Sequence, residues 1–193
     1  MPRPKVHIYL ASSIDGFIAG PGDDLSWLPG DEEFVEPETA PGQEAGSPAL
    51  TYEAFIATVG ALLMGRRTYD VVRGFDVDWP YGEKPVLVAT RRPLDAAPPA
   101  SVRPVQGSIE ELVDMARRAA DGGNVYLDGG ELIRQAAAAD LIDDLTITLA
   151  PVALGAGIPL FAGLPKRYPL EIVSYHPHPG GMLQVRARPR RKD

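Results

Sequence analysis

The feature that most constrains the fold is the stretch of residues 61–72, where an apolar run meets a glycine and two arginines. Residues 61–64 are apolar at every position, which predicts a strand buried on both faces of a sheet. Gly65 ends this run, and residues 66–72 have the pattern of a short helix. A glycine at a strand-to-helix junction lets a phosphate approach the unpaired N–H groups of the helix N-terminus. The stretch predicts an anion site at this turn, with a plain surface helix as the alternative.

Two further stretches repeat this arrangement of a buried strand and a polar turn. Residues 85–90 and 124–127 are the other apolar strands, and the turns that follow contain Thr90-Arg91 and Gly129-Gly130. The carboxyl ends of parallel strands meet at one edge of a sheet, so we expect the three turns to line one cleft. Arginine suits phosphate, and a glycine turn exposes N–H groups to an anion. The pattern favours a cofactor with a pyrophosphate and a further phosphate, which is NADPH rather than NADH.

The rest of the chain predicts strands and helices in alternation. Strands are predicted at residues 6–11, 102–105 and 142–149, and helices at residues 51–59, from 109 to a stop at 122, and after Gly130. Ser108 and Glu111 have the spacing of a capping box. Residues 170–175 and 182–187 predict a closing antiparallel hairpin. We expect one α/β domain over residues 1–193, with a mixed, mostly parallel central sheet and helices on both faces.

Composition excludes several classes of function. The chain has no cysteine, which excludes disulfides, thiolate metal sites and cysteine nucleophiles. Its net charge of -7 argues against general binding to nucleic acid or to an acidic membrane surface. The first apolar run is too short for a secretory signal, and no apolar stretch approaches the roughly 20 residues of a membrane helix. We expect a cytoplasmic protein that acts on a small molecule.

Residues 20–48 are irregular and rich in glycine, proline and acid. The acidic residues from Asp31 to Glu44 have no basic residue among them. We interpret this segment as a surface excursion, and our hypothesis is that it closes over a ligand as a lid.

Four stretches together carry a resemblance to a known family. They are residues 13–19 (Ser-Ile-Asp-Gly-Phe-Ile-Ala), 63–69 (Leu-Met-Gly-Arg-Arg-Thr-Tyr), 125–130 (Val-Tyr-Leu-Asp-Gly-Gly) and the glycine-punctuated apolar loop 150–161. The chain resembles the dihydrofolate reductase-like superfamily. Within it, the chain is most similar to stand-alone proteins that resemble the C-terminal reductase domain of the bifunctional riboflavin-biosynthesis deaminase-reductase.

The resemblance implies a cofactor, a substrate class and a partner. It implies reduction of a small heterocycle, either a pterin or folate, or a ribosylamino-pyrimidine such as 5-amino-6-(5-phosphoribosylamino)uracil. A homodimer is implied as well, and a substrate pocket near Ser13, Asp15 and Trp27. The residues implied to bind NADPH are Gly65, Arg66, Thr68, Thr90, Arg91, Gly129, Gly130, Glu131 and Leu132.

The proton donor is the least determined part of the site. Dihydrofolate reductases carry an acid shortly after a Trp-x-Leu-Pro segment, and Trp27-Leu28-Pro29-Gly30-Asp31 resembles it with one residue fewer. Asp31 and Asp15 are therefore candidate catalytic acids, and Glu53 is a weaker one. Because no acid is secure, a non-catalytic nucleotide-binding homodimer that keeps the reductase fold stays open as an alternative. A metal hydrolase using His7, His176 and His178 is disfavoured, since the last two fall in the predicted hairpin turn.

Overall fold

The computed structural model describes residues 3–28, 49–95, 97–178 and 180–191. The helices in these residues are α1 Tyr52–Ala57, α2 Arg66–Arg73, α3 Ile109–Ala119 and α4 Gly130–Ala138, and a 3-10 turn lies at Pro21–Asp23. The strands are β1 Val6–Ser13, β2 Phe17–Ala19, β3 Val59–Gly65, β4 Val86–Ala89, β5 Val102–Val105, β6 Asn124–Asp128, β7 Asp144–Ala150, β8 Ile158–Pro159, β9 Leu170–His178 and β10 Met182–Pro189.

Eight of these strands form one sheet in the order β5-β4-β3-β6-β1-β7-β10-β9. The pairs from β5 to β7 are parallel, whereas β10 is antiparallel to both β7 and β9. This confirms the mixed, mostly parallel sheet and the C-terminal hairpin. The strand β9 continues to His178, so the prediction that His176 and His178 lie in the turn is wrong. Strands β2 and β8 form a separate short antiparallel pair.

Helices pack on both faces of the sheet, as predicted. Apolar side chains of α3 and α4 cover one face, where Leu63 of β3 is fully buried. Helices α1 and α2 cover the other face through Phe55 and Tyr69, against Leu62 and Met64 of β3. Successive side chains of a strand point to opposite faces, so a strand between two helical layers must be apolar throughout. No described helix is long and apolar enough to cross a membrane.

Helix α3 ends at Ala119, before the predicted stop at residue 122, and α2 ends at Arg73, one residue beyond its predicted end. Helix α1 is also shorter than predicted. It ends at Ala57, and Val59 is already the first residue of β3 rather than part of a helix at 51–59. Val59 pairs with Asn124 of β6, so it belongs to the sheet, and the start of β3 also approaches the end of α3 closely. A Cβ at Gly60 would lie 1.8 Å from the carbonyl oxygen of Ala120, so only glycine fits there. That contact is non-local, and the local apolar pattern gives no sign of it.

Candidate functional site

A cavity of about 1000 Å³ opens at the carboxyl ends of β3, β4 and β6, beside β1. This is the edge at which open α/β sheets bind their ligands. The structure brings together there all the residues that were predicted to hold a cofactor. The predicted residues that line the cavity are Gly65, Arg66, Thr68, Thr90, Arg91, Gly129, Gly130, Glu131 and Leu132.

The two helices that begin at this cavity differ from the other two in how they begin. Helix α1 is capped by the side chain of Thr51, and α3 has the predicted capping box between Ser108 and Glu111. Helices α2 and α4 instead begin after Gly65 and Gly129, and neither has a side-chain cap. Their first N–H groups therefore have no side-chain acceptor and face the cavity with the positive end of the helix dipole. Such a pair of helix ends suits an anionic ligand.

Gly129 is a glycine for two separate reasons. Its φ of 95° lies in the left-handed region, which residues other than glycine rarely adopt. A Cβ at this position would also lie 2.5 Å from the Oγ1 atom of Thr68 on α2. At Gly65, in contrast, φ is -76° and a Cβ would meet nothing within 4 Å. The space in front of Gly65 belongs to the cavity, so a bound phosphate could approach its backbone there.

Four arginines line the cavity in the described residues, and three of them have protein partners. The Nε atom of Arg66 donates to Asp70 at 2.7 Å, and its guanidinium also contacts the carbonyl oxygen of Pro93. Arg67 pairs with Asp23 at 2.5 Å across the mouth of the cavity, and Arg134 pairs with Glu131 at 2.8 Å. Arg91, in contrast, is exposed and forms no ion pair with another described residue. It is therefore the arginine most available to a ligand.

Asp128 is the acidic residue of the cavity that sequence reasoning missed. It is the last residue of β6 and is half-buried, with the N–H of Gly129 donating to Oδ1 at 2.7 Å. The Tyr126 hydroxyl lies 3.5 Å from Oδ2 and donates its shorter bond, at 2.8 Å, to the carbonyl of Tyr9. Burial raises the pKa of Asp128 to about 6. The available signal was a carboxylate at the end of an otherwise apolar strand, just before the two glycines.

Asp15 and Ser13 lie close to each other but do not line the cavity. The Ser13 hydroxyl donates to Asp15 at 2.6 Å, and the backbone N–H groups of Leu154 and Gly155 also donate to that carboxylate. The bond from Ser13, followed by the bond from Gly155, lowers the pKa of Asp15. A carboxylate with three donors is a poor proton source, so these contacts favour a structural role that fixes the loop after β7. The expectation that Asp15 is a catalytic acid finds no support in this geometry.

The remaining predicted residues lie near the cavity or outside the described part. Trp27 does not line the cavity, although its neighbours Leu25 and Leu28 do, and its indole N–H donates to the carbonyl of Asp24. Asp31 lies outside the described residues, as do residues 29–48 of the hypothetical lid at residues 20–48. Glu53 is exposed on α1 and does not line the cavity.

The histidines do not form a metal site in the described residues. His7 is buried on β1 with its Nε2 atom 3.0 Å from the hydroxyl of Thr146, and burial lowers its pKa to about 4. His176 and His178 lie two strands beyond β7, on β9. Residues 3–28, 49–95, 97–178 and 180–191 contain no group of three His, Asp or Glu side chains that could hold a metal ion.

Comparisons with known proteins agree with this geometry. Residues 4–182 match the family model described as the RibD C-terminal domain. An uncharacterized relative, YwjB of Bacillus subtilis (strain 168), is 32% identical over 87% of this chain and 88% of its own length.

Two solved structures share the fold. A putative riboflavin biosynthesis protein from Shewanella sp. PV-4 has a TM-score of 0.79 and 28% identity, covering 97% of this chain and 99% of that one. Dihydrofolate reductase from Enterococcus faecalis, solved with NADP(H), has a TM-score of 0.61 at 15% identity and covers 97% of both chains. The second similarity is one of fold alone. The chain is a member of the RibD C-terminal domain family, with the fold shared by riboflavin-pathway reductases and dihydrofolate reductase.

Proposed function

We propose that the protein is an NADPH-dependent reductase that transfers a hydride to a small nitrogen heterocycle. The observation that carries the proposal is the pair of uncapped helix N-termini, α2 after Gly65 and α4 after Gly129, facing one cavity. Family membership supports a reductase of the riboflavin or dihydrofolate type. When bound, NADPH supplies the hydride, and the protein supplies position, charge and exclusion of water.

The residues at the turns suit the phosphates of this cofactor. The N–H groups at the start of α2 and α4 would hold a pyrophosphate, since both helix dipoles direct positive charge toward it. Gly129 allows the close packing of the two turns, because any side chain there would collide with Thr68. Arg91, unpaired and near the end of β4, is suited to the additional phosphate that distinguishes NADPH from NADH.

Asp128 is the residue best suited to deliver the proton that reduction requires. As hydride adds to the carbon of a ring C=N bond, the nitrogen accepts a proton and the double bond becomes single. A carboxyl group whose pKa is about 6 is protonated often enough near neutral pH to donate that proton and to regain one from solvent. Asp128 lines the cavity, which Asp15 does not.

The alternative of a non-catalytic nucleotide-binding dimer rested on the lack of a secure acid. A half-buried carboxyl with a raised pKa inside the cavity is a candidate acid and so supports the enzyme over this alternative. The expected homodimer, the cytoplasmic location and the single-domain assignment stay predictions.

The test is an Arg91→Ala variant titrated with NADPH and with NADH. Loss of a charge-assisted contact to the additional phosphate is expected to weaken NADPH binding about tenfold or more and to leave NADH binding nearly unchanged. Arg103→Ala is the matched control, because Arg103 is exposed on β5 and does not line the cavity. Arg66→Ala is less informative, since it also removes contacts to Asp70 and Pro93.

Equal weakening of both cofactors by Arg91→Ala, or no effect on either, would count against this assignment of Arg91. The proposed function itself fails if neither NADPH nor NADH binds the unmodified protein.

A further inference from the structure

Three tyrosines of the described residues line the cavity, and their hydroxyls differ in what they bond to. The Tyr9 hydroxyl donates to the carbonyl oxygen of Leu50 at 2.9 Å, and the Tyr126 hydroxyl donates to the carbonyl oxygen of Tyr9 at 2.8 Å. The Tyr81 hydroxyl, in contrast, has no hydrogen-bond partner in the part of the chain that the structure describes. Most hydroxyls at such low exposure are hydrogen-bonded, so this one requires an explanation.

The oxygen atom of Tyr81 is open to the cavity. Tyr81 is only 7% exposed, and it lines the cavity wall. Among the described residues, side-chain polar atoms that are both fully buried and unpartnered include the hydroxyl of Tyr168. The hydroxyl of Tyr81 is not among those atoms, so it keeps an accessible surface, and the space that it reaches is the cavity. A ligand in the cavity can therefore reach it.

The segment that carries Tyr81 connects α2 to β4, and it is fixed by contacts on both sides of the ring. The backbone N–H of Lys84 donates to the carbonyl oxygen of Tyr81 at 3.1 Å, and the Nζ atom of Lys84 donates to the carbonyl oxygen of Val59 at 2.9 Å. The indole of Trp79 packs edge-on against the Tyr81 ring, with the two ring centroids 5.1 Å apart. A hydroxyl fixed in this way can bond a ligand with little loss of side-chain entropy.

The Tyr81 hydroxyl shares its part of the cavity with Asp128. Tyr126 and Asp128 are two residues apart on β6, so their side chains point to the same face of the sheet, and Tyr81 packs with Tyr126 in the apolar cluster on that face. Burial raises the pKa of the Tyr81 hydroxyl, and the charge of Asp128 raises it further, so the phenol stays protonated. A protonated donor and the proposed proton source therefore face the same space.

Resting on the proposed reductase function, we propose that Tyr81 is a substrate-binding residue whose hydroxyl donates a hydrogen bond to an acceptor atom of the heterocycle. The acceptor is a carbonyl oxygen or an unprotonated ring nitrogen. Such a bond satisfies a hydroxyl that has no partner in the free protein, and it orients the ring beside Asp128. Tyr81 transfers no proton itself, because its pKa lies far above neutral pH.

The test is the variant Tyr81→Phe, which removes one oxygen atom and keeps the ring. Two probes, dihydrofolate and 5-amino-6-(5-phosphoribosylamino)uracil, are titrated separately into the protein saturated with NADPH. For the probe that binds the parent protein more tightly, we expect Tyr81→Phe to raise the Kd about fivefold or more. The matched control is Tyr168→Phe, because it removes another unpartnered hydroxyl, one that lies outside the cavity. An unchanged Kd in Tyr81→Phe overturns the proposal.

The thermal midpoint of the free protein provides a second measurement, which needs no substrate. Because the Tyr81 hydroxyl bonds to no described residue, we expect Tyr81→Phe to keep the midpoint within about 2 °C of the parent or to raise it. Tyr69→Phe, which removes a hydroxyl that donates to Asp95, should lower the midpoint. A midpoint lowered by more than about 2 °C in Tyr81→Phe would reveal a partner within the protein and overturn the proposal. If neither probe binds the parent, this measurement decides.

Titration with NADPH separates the failure of this inference from the failure of the proposed function. Tyr81→Phe is expected to bind NADPH as tightly as the parent, because the phosphates are assigned to the turns at Gly65 and Gly129. Weaker NADPH binding by the variant would assign the hydroxyl to the cofactor and overturn this inference alone. Absence of NADPH binding to the unmodified protein overturns the reductase function instead.

Discussion

At the scale of single residues, Asp128 lines the cavity, and its burial there lowers the stability of the folded protein at neutral pH. Its carboxyl is half-buried, and the donor at short distance is the N–H of Gly129. Burial raises its folded-state pKa from 3.8 to about 6, so the folded protein binds this proton more tightly than the unfolded chain. The contribution of Asp128 to the free energy of unfolding is therefore favourable below pH 4 and is lost as the pH rises from about 4 to about 6. Strained or costly groups of this kind are common at active sites.

We predict that Asp128→Asn stabilises the protein at pH 7.5 and not at pH 4. A shift of two pKa units corresponds to at most about 3 kcal/mol, and exposure of the carboxyl to the cavity reduces this to about 1 kcal/mol. The measurement is thermal unfolding of both proteins at the two pH values. The control is Glu110→Gln, which changes an exposed acid on α3 outside the cavity. An Asn variant that is less stable than the parent at pH 7.5 would show that the carboxylate is favourably bonded in the folded state.

At the scale of secondary-structure elements, the glycines of β3 have opposite roles at its two ends. Gly60 is required by packing, since a Cβ there would collide with the backbone carbonyl of Ala120. Gly65 has an ordinary φ of -76° and open space in front of it, so packing does not require glycine. The proposed approach of a ligand to the backbone would account for a glycine at residue 65.

We expect the substitutions Gly60→Ala and Gly65→Ala to separate these two roles. Gly60→Ala should lower the free energy of unfolding by about 3 kcal/mol or more, because backbone must move to relieve the collision. Gly65→Ala should change stability by less than about 1 kcal/mol and weaken NADPH binding about tenfold or more. Denaturant unfolding and cofactor titration of each variant provide the two measurements. Unchanged NADPH binding in a folded Gly65→Ala variant would contradict the placement of a phosphate at this turn.

The strands and the turns that line the cavity could be predicted because their sequence signals are local. Continuous apolar runs mark the buried strands, and a glycine after such a run marks the turn at Gly65. The early end of α1 and the burial of Gln184 could not be predicted, because they depend on distant residues. The side-chain amide of Gln184 on β10 is buried, and its hydrogen bonds are satisfied by the backbone of Leu50, 134 residues away. The raised pKa of Asp128 could not be predicted either, because it comes from burial, which the packing of the whole sheet decides.

At the scale of the whole molecule, the cavity and a cluster of ion pairs lie at opposite ends of the sheet. The cavity occupies the carboxyl ends of the parallel strands, while Asp144 begins β7 at the amino end. Burial acts to raise the pKa of Asp144, and Arg188 and Arg186 overcome this effect and hold it below its ordinary value. Asp143 likewise accepts bonds from Arg3 and from Arg191. These bonds attach both ends of the described chain to the start of β7. The cavity lies at the opposite edge of the sheet, at the carboxyl ends of the parallel strands.

The central claim is that this opposite edge binds NADPH. The most direct measurement is thermal unfolding of the purified protein with NADPH, with NADH and with neither. A ligand that binds the folded state at about 100 times its Kd adds about 2.7 kcal/mol to the free energy of unfolding, so NADPH is expected to raise the midpoint by several degrees. NADH at the same concentration is expected to raise it less. No shift with either nucleotide would contradict the account, because the three turns would then not form a cofactor site.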